Sequence, residues 1–421
     1  MEAFTYRGGC LMCEGVSVAD LAGEVGTPCY VYSRRAIESR YGRLAEAFAP
    51  ANPLICYAVK ANGSLAILRL LADLGAGFDI VSGGELFLAR TACGDGARVV
   101  YAGVGKTEAE IRQALQAGIL MFNVESEDEL ALIDRVAGEM GETAPVALRL
   151  NPDVDPRTME YIATGHKDSK FGIDFATARR IVEGVGERPH VRLIGYHGHV
   201  GSQVTDLGPH AEALERIIAF AADCQPPTGP IEYINIGGGF GIDYRPGQAP
   251  PPQAFAELLL PQLEASGLEV RLILEPGRYI VGNAGILVTR AVRLKRTPAR
   301  RFVVVDAAMN DLLRPSLYKA HHGIWPVRSD APFEEDGFEP ADVVGPVCES
   351  GDFLGKERRL PPVAAGDLLA VFSAGAYGYA MSSNYNARPR PPEVLVDGDT
   401  YREIRRRETY EDLILQEAQD A

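Results

Sequence analysis

Apolar and polar positions along this chain follow two different rhythms, and the change between them is the first thing the sequence establishes. Short apolar runs recur at 53–59, 78–81, 97–101, 119–124, 145–150, 191–196, 231–236 and 270–274. Each is too short for a helix and is bounded by polar or glycine-containing segments, which predicts a buried strand. Between the runs, apolar residues at helical spacing predict helices at 64–74, 107–117, 126–140, 175–185, 206–224 and 253–265. Eight strands alternating with helices match the order of a parallel (β/α)8 barrel. An open doubly wound sheet shares that alternation. The barrel is preferred because residues capable of chemistry recur just beyond the C-terminal ends of several runs, where barrel active sites are assembled.

Beyond about residue 282 the rhythm changes. Runs at 286–294, 302–306, 342–347, 368–372 and 393–397 follow one another without long helices, predicting a separate antiparallel β domain. At the other end, apolar pieces broken by Gly8, Gly9, Gly15 and Gly26 lead to a strand-like run at 29–32 that is expected to join that domain. Ser33 then reads as the N-cap of a helix with Ile37, Tyr41, Leu44 and Phe48 on one face. The domain expectation is a barrel over 33–282 and a β domain built from 1–32 and 283–421. Proline-rich pieces at 248–253 and 388–392 read as loops, and the charged stretch from Arg402 onward as a solvated helix or frayed end.

Composition narrows the function classes. With 421 residues, 46% of them hydrophobic, the chain can bury a large core in more than one domain. A net charge of −15 and a pI near 5.1 argue against nucleic acid or an anionic membrane as the main partner. No run approaches the ~18 apolar residues of a membrane span. The opening MEAFTYRGG has neither the basic nor the apolar part of a secretory signal, so a cytoplasmic location is expected. Seven scattered cysteines fit reduced thiols better than a disulfide framework. Cys10 and Cys13 stand at metal-like spacing, but without a second such pair or a nearby histidine cluster they read as strand residues and no metal is expected.

The candidate chemistry sits at strand ends. The segment PLICYAVKANGS (53–64) is an apolar run that stops at Lys60 and breaks into Asn62 and Gly63. Partial burial lowers the pKa of an ammonium and makes a nucleophile able to form a Schiff base; alternatively, Lys60 reaches out of the strand end to solvent. In INIGGGFGIDY (234–244) four glycines follow a strand directly, as a phosphate cradle or a tight turn. No GxGxxG opens a helix there, so it is not the dinucleotide fingerprint. EPGR (275–278) sets a carboxylate and a guanidinium at another strand end, where a surface ion pair is the alternative. In YHGHVGSQ (196–203), His197 and His199 could ligate a metal, although no third ligand stands at recognisable spacing; the other role is a flat imidazole stacked on a ring. A lysine, an anion site, a carboxylate and a stackable histidine are together the parts that pyridoxal phosphate requires.

YAVKAN, HVGSQ, GGGFG, EPGR, CESGD and GAYGYAMSSNYNARPRP occur in this order, and the chain from about residue 26 to 397 resembles the fold type III pyridoxal-phosphate decarboxylases, specifically the diaminopimelate decarboxylases. The resemblance implies an alanine-racemase-type barrel with a C-terminal β domain, pyridoxal 5′-phosphate as cofactor, and a homodimer whose active sites take residues from both subunits. It also implies decarboxylation of meso-2,6-diaminopimelate to L-lysine and CO2, the last step of lysine biosynthesis. By the same resemblance Lys60 carries the cofactor as a Schiff base and His199 stacks on its ring. Gly238, Gly239, Arg278 and Tyr377 surround its phosphate, with Gly277 in the same set, and Ser202 lies beside it. Glu275 faces the pyridine nitrogen and keeps it protonated, so that electrons released with CO2 flow into the ring. Cys348, from across the dimer, is the implied proton donor.

For the substrate, the resemblance implies that Arg314 in RPSLY grips the distal carboxylate together with Arg278, that Tyr318 and Tyr377 complete the set, and that Glu349 holds the distal ammonium. A planar guanidinium suits bidentate carboxylate binding. The alternatives are related decarboxylases acting on ornithine, arginine, carboxynorspermidine or a carrier-linked amino acid. A racemase on the same scaffold is expected to lack CESGD and RPSLY, and a regulator without catalysis would not need Lys60 and Cys348. Within TMEYIATGHKDSKFG (158–172), Met159 stands where a histidine is common in the family, which puts closure or substrate preference of this loop in question. His166, His190, His210, His321 and His322 are read as exposed or core histidines without a catalytic role.

Overall fold

The computed structural model describes residues 3–155, 169–331 and 337–417; Met159 and His166 lie outside them. The chain divides into two compact units, one comprising Met1–Ser39, Asp243–Pro246 and Ile280–Ala421, the other Arg40–Ile242 and Gly247–Tyr279.

The second unit is a closed barrel of eight parallel strands: Leu54–Ala58, Gly77–Ile80, Val99–Tyr101, Met121–Val124, Ala144–Leu150, Val191–Gly198, Tyr233–Asn235 and Arg271–Leu274. Every apolar run of the first rhythm supplies one strand, and the ring closes where Leu54 pairs with Ile273 and Ile55 with Leu274. Successive strands send Leu54, Cys56, Val100, Met121, Ala147, Ile194 and Ile273 into one buried cluster. Full burial of one such aliphatic side chain stabilises by about 1.5–3 kcal/mol. After the strands Gly77–Ile80, Val99–Tyr101 and Met121–Val124 the loops are short because the helices begin on local caps. Ser82 accepts from the Glu85 N–H, Ser126 from the Glu129 N–H, and Thr107 with Glu110 forms a reciprocal capping box. The ends of these three strands are therefore held by helix starts only a few residues away.

The other unit is built on a nine-stranded sheet among the described residues, with Cys29–Ser33 inserted between Gly285–Arg296 and Glu393–Asp397. It is mixed, not antiparallel throughout as the sequence predicts. Arg301–Val305 pairs in parallel with Pro340–Val344, and Cys29–Ser33 in parallel with Glu393–Asp397. Antiparallel order is imposed by short turns, and neither of these pairs is joined by one. The helix Arg314–Tyr318 and the strand Ile324–Pro326 intervene in the first pair, and the second joins opposite ends of the chain. The first strands, Phe4–Arg7, Cys10–Cys13 and Val16–Ser17, form a small sheet of their own. Among the described residues, no helix is long and apolar enough to cross a membrane.

Candidate active site

Lys60 stands in the single turn Val59–Ala61 that ends the first barrel strand. Its neighbours Ala58, Val59 and Ala61 are buried, and its side chain is 42% exposed. The ammonium does not simply seek solvent. Its Nζ lies 2.8 Å from Oδ2 of Asp79, a fully buried carboxylate on the adjacent strand Gly77–Ile80. Burial raises the Asp79 pKa, the negative charge of Glu275 adds to the rise, and Lys60 opposes it. Lys60 and Asp79 therefore stand as a hydrogen-bonded ion pair at the strand end.

Glu275 follows the last barrel strand and is buried. Asn235 donates to its Oε1 at 2.6 Å and Asn123 at 3.2 Å, while Nε2 of His197 stands 3.4 Å from its Oε2. Three other strands thus converge on one carboxyl group. Burial alone would raise its pKa, but His197, Lys60 and the Asn235 amide outweigh that cost and hold the carboxyl well below the usual range. Glu275 is a buried anion at neutral pH.

The glycines after the strand Tyr233–Asn235 wrap closely around this centre. A Cβ on Gly238 would lie 2.1 Å from the Glu275 carbonyl oxygen, and one on Gly239, where φ is +93°, 2.5 Å from the Gly201 carbonyl oxygen. No side chain fits at either position. Asn235 also accepts from the Gly237 N–H at 2.8 Å, so one amide ties the glycine loop to Glu275. The HVGSQ loop closes over the same turn. The Gly238 N–H donates to Nδ1 of His199 at 3.2 Å, Gln203 exchanges two hydrogen bonds with the Ile242 backbone, and Arg278 donates to Oγ of Ser202 at 2.8 Å. Desolvation first, then the charges of Arg149 and Lys60, hold the His199 pKa well below normal, so its ring is neutral. Gly277 lets EPGR approach the Lys60 turn, since a Cβ there would stand 3.0 Å from the Cβ atoms of Ala58 and Ala61.

The barrel unit therefore brings together Lys60, His199, Ser202, Gly238, Gly239, Glu275, Gly277 and Arg278. Sequence reasoning missed Asp79, Asn123 and Asn235, and weighed His197 only as a metal ligand or stacking ring. Each is a polar residue inside an apolar strand run, which is the signal that could have found them. His210, read as exposed or core, is a core residue bonded to the carbonyl of Gly238 at 3.0 Å.

The other implied residues belong to the β unit. Arg314 opens the helix Arg314–Tyr318 and is buried, with its guanidinium over the ring of Tyr244 and Nη1 2.8 Å from Nε2 of His322. Tyr318 ends that helix half-buried. Ser316 ties the helix to the CESGD loop through the Gly351 carbonyl at 2.6 Å. In that loop Cys348 and Glu349 are exposed, while Asp352 accepts from the Met309 and Val347 N–H groups and fixes the turn. Tyr377 has φ +56°, a conformation uncommon for a tyrosine.

The sequence family described as "Pyridoxal-dependent decarboxylase, pyridoxal binding domain" matches residues 34–282. The chain is 48% identical over 410 residues to the diaminopimelate decarboxylase of Aquifex aeolicus, covering 97% of this chain and 96% of that one. It belongs to the diaminopimelate decarboxylase family. The diaminopimelate decarboxylase of Pseudomonas aeruginosa is 48% identical over 413 residues, with 98% of each chain covered. A crystal structure of diaminopimelate decarboxylase from M. jannaschii in co-complex with L-lysine superposes with a TM-score of 0.92 at 39% identity, over 99% of this chain and 98% of that one.

Family membership brings pyridoxal phosphate, and the barrel residues fit it. Gly238 and Gly239 let the backbone turn pack against the Glu275 and Gly201 carbonyls with no side chain in the way, and Arg278 adds a cation held on Ser202. Oδ1 of Asp79, Oδ1 of Asn123 and Nδ1 of His197 are buried without a hydrogen-bond partner among the described residues. Unmet polar demand of that kind marks functional sites more than structural ones.

Proposed function

We propose that the chain decarboxylates meso-2,6-diaminopimelate to L-lysine and CO2, with the barrel unit holding the cofactor and the β unit carrying the groups that recognise the substrate. The observation that carries this reading is Glu275, a buried carboxylate kept ionised by Asn235, Asn123 and His197 in the same unit as Lys60 and the glycine cradle. Bound pyridoxal phosphate supplies a ring that accepts the electron pair left when the carbon–carboxylate bond breaks.

The chain's own groups do the rest. Lys60 Nζ provides the amine for covalent attachment, and Asp79 takes and returns its proton across 2.8 Å. Gly238 and Gly239, with Arg278 and Tyr377, would surround the phosphate, and Ser202 would lie beside the cofactor. Glu275 holds a proton on the pyridine nitrogen, because an anion at that position stabilises the protonated form. His199 offers a neutral, flat ring. Cys348 Sγ holds the proton for the product carbon, Arg314 with Arg278, Tyr318 and Tyr377 the distal carboxylate, and Glu349 the distal ammonium. The seven free cysteines suit a reducing cytoplasm. A homodimer, expected from the family resemblance, is checked by solution mass.

The deciding assay is release of CO2 and L-lysine in equal amounts from meso-2,6-diaminopimelate by the purified protein with pyridoxal phosphate. CO2 from ornithine, arginine or carboxynorspermidine, with none from diaminopimelate, would overturn the substrate.

A further inference from the structure

We propose that His322 is a positioning residue for Arg314: it fixes the plane of the guanidinium and so sets the preference for amino acids with a distal carboxylate. The inference rests on the assignment of Arg314 to that carboxylate.

His322 is fully buried, and both ring nitrogens are engaged. Nδ1 lies 2.8 Å from the Phe372 carbonyl oxygen, and Nε2 lies 2.8 Å from Nη1 of Arg314. A carbonyl can only accept and a guanidinium can only donate. Nδ1 therefore carries the hydrogen and Nε2 the lone pair, and the neutral ring is the one state that satisfies both contacts. Burial first, and the Arg314 charge second, hold the His322 pKa well below normal, in agreement with that tautomer.

The support behind the ring is rigid. The Phe372 N–H donates to the Gly323 carbonyl at 2.8 Å, where the strands Ile324–Pro326 and Leu368–Val371 pair. Tyr244 supplies the second constraint. The Arg314 guanidinium carbon sits 5.0 Å from the centre of its ring, and the His322 ring stands edge-on to the same ring at 5.4 Å and 82°. Tyr244 covers a face of the guanidinium while His322 holds an edge.

The choice of a neutral acceptor matters. An aspartate or glutamate at this position would hold the guanidinium equally well but cancel its charge and compete with the substrate carboxylate. Neutral imidazole takes one of five N–H donors for orientation and brings no counter-charge of its own. Loss of His322 should therefore weaken recognition of a carboxylate and leave the reacting end of the substrate unaffected.

The test uses the holoenzyme with His322→Leu and His322→Gln. Dissociation constants for L-lysine and for cadaverine, the same chain without the carboxylate, are read from the visible absorption of bound cofactor. His322→Leu should weaken L-lysine about tenfold and raise KM for meso-diaminopimelate similarly, with kcat and cadaverine binding changed less than about twofold. His322→Gln, whose amide oxygen can accept from Arg314, should recover most of the loss. An unchanged L-lysine constant in His322→Leu, or equal weakening of both ligands, would overturn the proposal. If His322→Leu does not fold, Tyr244→Leu against Tyr244→Phe makes the same comparison, with selective loss of L-lysine expected only for leucine. Arg314→Ala with undiminished L-lysine binding would instead remove the assignment of Arg314, and this proposal with it.

Discussion

In the barrel unit Asp79, Asn123, His197, Asn235 and Glu275 are buried on strands or just beyond them, and Lys60 reaches into that group from a strand end. In the β unit Cys348 and Glu349 are exposed on the loop between Pro340–Val344 and Phe353–Arg359, and Arg314 is buried on a helix of five residues. The contrast follows from what each set must do. Keeping a carboxylate ionised in a dry site requires several donors aimed at one atom, and adjacent parallel strands deliver them at fixed spacing. Recognising a distal amino acid head, the role proposed for the second set, needs accessible charges and a guanidinium plane fixed in advance. The groups proposed for the cofactor are thus set by barrel strands, and those proposed for the substrate by segments braced through Asp352, Ser316 and His322.

Breaking the barrel side should have the largest effect. Lys60→Ala should abolish the visible band of the bound cofactor and lower kcat by on the order of 10³-fold or more. Retention of that band would assign the attachment to another residue. Glu275→Gln keeps the shape but not the charge and is expected to cost about 10²-fold in kcat while cofactor still binds. Activity within a few-fold of wild type would show that no anion is needed there. Asn235→Ala loses both the bond to Glu275 and the bond to the Gly237 N–H. It should lower kcat about tenfold and weaken cofactor binding in parallel, measured by equilibrium titration of the cofactor-free protein. A change in one quantity without the other would separate the glycine loop from the carboxylate.

The smallest effect concerns stability. Glu85 accepts from the Val81 N–H, and burial pushes its pKa up to about 7 from 4.5. Between those values the folded barrel binds a proton that the unfolded chain has released, so this group makes stability fall as pH rises through the window. Glu85→Gln cannot titrate. It should reduce the drop in Tm of the cofactor-free protein between pH 5 and pH 8 by on the order of 2 °C. An unchanged slope would place the proton elsewhere.

Much of the barrel was legible because apolar runs of strand length recur in register with helical segments, and the cofactor motifs follow those runs. The asparagines and Asp79 were hidden by the same pattern, since a polar residue in an apolar run looks like noise until neighbouring strands are placed beside it. Asn123 and Asn235 become meaningful only when Glu275, 152 and 40 residues away in the chain, meets them. The mixed sheet was not legible at all, because the pairing of Cys29–Ser33 with Glu393–Asp397 leaves no mark on either segment alone. His322 and Tyr244 belong to the same class, as their importance lies in contacts with Arg314 that no spacing encodes.

The division between cofactor and substrate groups is tested most directly by titrating wild type and Arg314→Ala with meso-2,6-diaminopimelate while following the visible absorption of bound cofactor. The expected result is an unchanged cofactor band in both proteins and a loss of apparent affinity of about 10²-fold in the variant, the cost of removing a charged hydrogen-bonding partner. A variant that loses its cofactor band, or that binds diaminopimelate as tightly as wild type, would contradict it.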